Sequence, residues 1–155
     1  MSQYVNFYLK TPKGEFVSLF DFSRNSDIYS ACSGAPYEKI KQFSYDELHR
    51  CKDYIKDLLQ IYRNGREKLN RKKEDLLSIK TPTKDILDCL DTIYSDISSL
   101  EEENEEIQYA DYFFSILEYM LDNFKYREIK DGEQRPSLWY GIEAPIYPTE
   151  EDIVT

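Results

Sequence analysis

Five carboxylates crowd into one short run, Glu101-Glu102-Glu103-Asn104-Glu105-Glu106. On a helix, Glu102 with Glu105 and Glu103 with Glu106 stand three residues apart and share a face. Helical hydrolases that act on nucleotides with magnesium use such pairs, completed by carboxylates from a second helix. Asp53 and Asp57 would complete the set here. The spacing arises in any Glu-rich helix, however, and the Glu-x-x-His of di-iron bundles is missing. The simpler expectation is a solvated helix face opposite Lys52, Lys56 and the basic segment that follows them. No metal or other cofactor is expected.

Other chemistry-bearing residues are sparse. His49 is the single histidine, and it stands two positions from Cys51, a spacing at which helix side chains do not face each other. Cys32, Cys51 and Cys89 are widely spaced, with no Cys-x-x-Cys or Cys/His grouping, so zinc is not expected. Cys51 and Cys89 fall on or beside apolar seams and should behave as small hydrophobes. Free thiols imply a reducing compartment. Residues 23–36 (SRNSDIYSACSGAP) are rich in turn formers but lack the glycine spacing of a phosphate-binding loop. They read as a connector with a short helix over Asp27 to Cys32.

The net charge is −10, and the acidity lies beyond residue 80. Direct nucleic-acid binding is disfavoured, because no large basic surface is available to displace counterions. No signal segment is visible at the start, and no apolar run approaches the ~20 residues that cross a bilayer. The expected location is the cytoplasm, away from membranes.

Two long heptad patterns must position these residues. Ser44-Tyr45-Asp46-Glu47 reads as a capping box, opening a helix that runs to about Ile79. Its apolar seam is Leu48, Cys51, Ile55, Leu58, Tyr62, Gly65, Leu69, Lys72, Leu76, in steps of three and four. Gly65 marks either close approach of a partner helix or a weak hinge. Thr81-Pro82-Thr83 restarts the chain, with either threonine able to cap. The second seam runs through Ile86, Leu90, Ile93, Ile97, Leu100, Asn104 and Ile107. It resumes at Ala110 and continues through Phe114, Leu117, Leu121 and Phe124, after a three-residue slip that either overwinds the helix pair locally or marks a change of packing partner. Residues beyond about 108 should therefore leave the two-helix arm for a globular core. Antiparallel folding sets Leu69 by Ile93, Gly65 by Ile97, Tyr62 by Leu100 and Ile55 by Ile107. Asn104, on the seam, should help to set register.

Flanking segments read as sheet. Tyr4 to Leu9 and Phe16 to Phe22 are β-branched and aromatic, joined by Pro12 and Gly14 turn chemistry into a hairpin. Val5, Phe7 and Leu9 should share one face, and Phe16, Ser18, Phe20 and Phe22 another. Leu138, Tyr140 and Ile142 alternate with Trp139 and Gly141 as a third strand that joins the hairpin. The acidic end is a tail, frayed unless docked.

The sequence therefore specifies one α+β domain over 1–155. Residues 1–43 form the hairpin and loop, 44–128 a long antiparallel, coiled-coil-like helical hairpin, and 129–155 the last strand and tail. The expected function is non-enzymatic: protein interaction or assembly, through a protein partner or a homodimer. Arg71, Lys72 and Lys73 would supply charge at the arm's tip, and Tyr112, Phe113 and Trp139 would anchor its aromatic base. The alternative is an acidic mimic of nucleic acid, of the type carried by mobile elements, that blocks a DNA- or RNA-binding protein with Asp96, Glu101, Glu102, Glu103, Glu105 and Glu106. A magnesium-dependent helical hydrolase is the third reading.

Overall fold

A computed structural model of the chain describes residues 4–23 and 27–154. Part of the Ser/Asn-rich connector, residues 24–26, lies outside the described residues. The elements are β1 (Tyr4–Lys10), β2 (Phe16–Ser23), α1 (Asp27–Ala31), β3 (Lys41–Gln42), α2 (Tyr45–Leu77), α3 (Lys84–Tyr126) and β4 (Ser137–Ile142). A 3-10 turn, Glu150–Asp152, follows. The protein is α+β: an antiparallel four-stranded sheet, ordered β2-β1-β4-β3, packs on the base of a long helical hairpin. No helix among the described residues is long and apolar enough to cross a membrane.

Gly14, with φ of 88°, closes the β1–β2 turn and donates its amide to the Thr11 carbonyl at 2.9 Å. That positive φ is cheap only without a Cβ. One strand-face expectation fails. The pairing passes from Phe7↔Phe20 to Tyr8↔Ser18, leaving Leu19 as the extra residue of a β-bulge. A bulge inverts the alternation beyond it. Phe20 and Phe22 therefore face Phe7 and the core, whereas Phe16 turns to the other face and meets Trp139 edge-on at 5.6 Å.

β4 joins the hairpin as expected, pairing with β1 from Val5↔Ile142 to Lys10↔Ser137. β3 was not legible: two residues carry no alternation. It pairs only as Lys41↔Tyr140 and Gln42↔Trp139. Gly141 is required where residues 36–40 cross β4, because a methyl there would overlap the Lys39 carbonyl oxygen. The tail is docked. Ile40 donates its amide to the Asp152 carbonyl at 2.8 Å, Val154 donates to the Ile40 carbonyl at 2.9 Å, and Lys10 pairs with Glu150 at 2.8 Å.

Helix α2 is unbroken through Gly65, and a Cβ there would make only an ordinary 3.6 Å contact with Leu100. Neither a hinge nor a close approach explains that glycine. Thr83 caps α3, its hydroxyl accepting from the Ile86 amide at 3.4 Å. Ser44 occupies the N-cap of α2 without a side-chain hydrogen bond, so the capping box does not form. At about 1.5 Å per residue the helices measure roughly 50 and 65 Å.

The antiparallel pairing is as expected, but its register is displaced. Near the tip, Leu69 and Ile93 line one groove. Toward the base Gly65 meets Leu100 rather than Ile97, Arg66 pairs with Glu101 at 3.3 Å and Lys52 with Glu118 at 3.3 Å. Helical side chains lean toward their own N-terminus, by about one position each. In an antiparallel pair the two displacements add, accounting for about two residues of the slip.

The core begins where the phase slip predicts. Ile107, Ala110, Phe113, Phe114, Leu117 and Leu121 belong to the main hydrophobic cluster with Val5, Phe7, Phe43, Leu48, Ile55 and Tyr140. α3 does not part from α2 there, because Tyr45 still bonds Asp122 at 2.5 Å. It gains the sheet as a second partner. Phe7 is the hub, with Phe20, Phe22, Phe43, Phe113 and Tyr140 around it.

Candidate functional site

The side of α3 that faces away from this core is apolar. Tyr109, Tyr112, Ile116, Tyr119 and Tyr126 recur in steps of three and four, with Asn123 filling the remaining position. Each stands two residues from a core position, about 200° around the helix. Exposure reaches 67–86% for the four tyrosines and 39% for Ile116.

The proposed aromatic anchor divides into three. Tyr112 belongs to the stripe. Phe113 does not reach the surface: it is 5% exposed and packs against Phe7, Phe20 and Phe22. One step along a helix turns a side chain by about 100°, from the outer face into the core. Trp139 lies on the face of the sheet opposite α3. There its indole NH donates to Ser137 Oγ at 2.8 Å, and the Lys10 ammonium sits 5.6 Å from its ring. Tyr112 and Trp139 therefore face opposite sides of the protein and do not form one anchor.

On the arm, Glu101, Glu102, Glu103, Glu105, Glu106 and Asp96 are exposed. Among the described residues no group of three or more His, Cys, Asp and Glu is gathered for a metal ion. Arg71 and Lys72 are exposed, and Lys73 lies 5.7 Å above the Tyr94 ring. Lys72 and Asp96 line one open groove of about 620 Å³ between the helices, with Leu69, Leu76, Cys89 and Ile93. Cys89 is exposed rather than packed in the seam. Asn104 is half-buried beside Tyr62, Arg66 and Leu100. His49 is exposed, 6.2 Å from the Tyr45 ring.

A polar cluster at the junction of sheet and helix carries strong electrostatics. The Glu47 carboxylate, 8% exposed, accepts from the Tyr140 hydroxyl at 2.7 Å and from Lys41 Nζ at 3.0 Å, and Arg50 pairs with it. Burial alone would raise the Glu47 pKa, but the hydrogen bonds from Tyr140 and Lys41 outweigh it and hold the carboxyl below its ordinary value. Burial and the Glu47 charge push the Tyr140 hydroxyl well up. Cys32 and Cys51 lie nearby with sulfurs 3.9 Å apart, and the Cys51 thiol is 3.2 Å from the Ala31 carbonyl. The hydrogen bond with Cys51 and burial raise the Cys32 thiol pKa, which disfavours the reactive thiolate. This cluster ties α1, α2 and β4 together.

The stripe was legible in principle, since its heptad repeats the core seam two positions later. Aromatic residues on every side of α3 mask that repeat in the sequence. The Glu47 cluster left no signal, because Tyr140 is 93 residues away. Comparison with known proteins finds no family model, no curated protein and no solved structure that matches this chain.

Proposed function

We propose that this chain is a non-enzymatic protein-interaction protein whose helical hairpin carries the contact surface. The exposed stripe Tyr109–Tyr126 is the observation that supports this reading. Four tyrosines in solvent on a helix whose opposite face is already packed have no role in the fold. Tyrosine suits a contact because it buries a large ring at low entropic cost while its hydroxyl stays satisfied.

A Tyr112→Lys/Tyr119→Lys variant tests it. Its circular dichroism and melting should match the wild type, because both positions are outside the core. The wild-type chain should associate in solution, with itself or with a retained protein, and the variant should not. A wild-type chain that stays monomeric and retains nothing that the variant does not retain would overturn the reading.

An acidic mimic of nucleic acid is the second reading. It is favoured by the exposed carboxylates at Asp85, Asp88, Asp91, Asp96 and Glu101 to Glu106. The basic residues of α2 beside them, of which Arg66 already pairs with Glu101, weaken the mimicry. Binding to basic proteins that collapses in modest salt would favour it.

A further inference from the structure

We propose that the α3 stripe pairs with the same stripe of a second copy of this chain, the two helices running antiparallel. The inference rests on the stripe being an interaction surface and names its occupant.

Three properties of the stripe point to a second copy. The first is its repeat. Tyr109, Tyr112, Ile116, Tyr119, Asn123 and Tyr126 alternate steps of three and four without a break. That is the pattern by which one helix packs along another of like pitch. The second is symmetry. An isologous contact requires a self-complementary patch. With Ile116 of one copy beside Tyr119 of the other, Tyr109 falls opposite Tyr126 and Tyr112 opposite Asn123. Tyrosine meets tyrosine at each end, and between the ends each smaller side chain, Ile116 or Asn123, meets a tyrosine.

The third is charge. One shoulder of the stripe carries Glu106 at its start and Arg127 just past its end, both exposed. Antiparallel helices bring like shoulders together end for end, so Glu106 of each copy approaches Arg127 of the other. In a parallel pair the two like shoulders fall on opposite sides of the seam, so Glu106 and Arg127 would not meet. Charge beside a seam selects orientation in this way.

Area sets the strength. The exposed parts of the stripe's rings and Ile116 amount to roughly 500 Å² per copy, or about 1,000 Å² for the pair. That is the lower limit for a specific contact, so the dimer should be weak and concentration-dependent. The net charge of −10 on each copy opposes approach. Measurement at about 0.15 M salt, where the Debye length is about 8 Å, limits that repulsion to short range.

The test is sedimentation velocity of the full chain from about 1 to 500 μM, with circular dichroism confirming that each variant is folded. The wild type should pass from monomer to dimer across this range. Tyr112→Lys/Tyr119→Lys should raise the dissociation constant at least about tenfold. Glu106→Arg and Arg127→Glu should each weaken the dimer, and the two together should restore it. A dimer that survives the tyrosine changes, or single charge reversals that the double variant does not rescue, would overturn the proposed pairing. A wild-type chain that is monomeric throughout would also overturn it. In that event, a different protein retained by the wild type and lost from the tyrosine variant would leave the interaction reading standing. Failure of both would remove both.

Discussion

The Tyr140 hydroxyl donates to the Glu47 carboxylate at 2.7 Å, joining the middle of β4 to the first turn of α2. Tyr140 is fully buried and Glu47 nearly so. The bond therefore sits where sheet and helical hairpin meet. Lys41 on β3 completes it from the edge of the sheet, while the pairing with Arg50 adds little because Arg50 is largely exposed.

Tyr140→Phe should keep the ring in the core and remove this one bond. A hydrogen bond to a charged group is worth about 1.5–3 kcal/mol, so stability should fall by that amount. Urea unfolding with an unchanged m-value would show it. No change in midpoint would mean that water or Lys41 replaces the hydroxyl.

Acid should act through the same carboxylate. The folded-state pKa of Glu47 lies below the ordinary carboxyl value of 4.5. Its contribution is thus present above that value and is lost as pH falls through the lower, folded pKa. Glu47→Gln should flatten the stability profile below pH 4.5. At the other extreme, burial first, then the Asp152 and Asp21 charges, push the Tyr8 hydroxyl up to about 12. Stability should therefore decline as pH rises from 10 toward 12 and the unfolded phenol ionises first. Melting temperatures across both ranges check the two signs.

Two glycines should respond in opposite directions to alanine. Gly141→Ala drives a methyl into the Lys39 carbonyl and should cost at least about 2 kcal/mol, because backbone must move. Gly65→Ala meets only Leu100 at 3.6 Å and should stabilise by up to about 1 kcal/mol through helix propensity. Equal effects at the two sites would refute the packing at one of them.

Thiol labelling should separate the three cysteines. Cys89 is exposed and should react with a maleimide at once. Cys32 and Cys51, 1% and 2% exposed, should react only when the protein opens, at a rate that denaturant increases. Mapping the modified peptides with time gives the order. Early modification of Cys51 would place its seam at the surface.

The elements were legible because their signals are local. Heptad spacing from Leu48 to Leu76 and from Ile86 to Phe124, the Thr83 cap, the Gly14 turn and the alternation around Tyr140 each depend on residues a few positions apart. From these the sequence alone determined an α+β protein with a long helical hairpin. It also placed the phase slip at Ile107–Ala110, where α3 acquires the sheet. What the tertiary structure decided depends on residues far apart in the chain. The bulge at Leu19 sends Phe16 to the outer face, because β1 and β2 pair in only one way that keeps Phe20 and Phe22 on Phe7. Glu47 leaves its capping role because Tyr140 and Lys41 offer a buried carboxylate better partners than the Ser44 backbone amide does. The same logic separates Tyr112 from Phe113. Both are aromatic and adjacent, and only packing against the sheet makes one of them core and leaves the other on the exposed stripe.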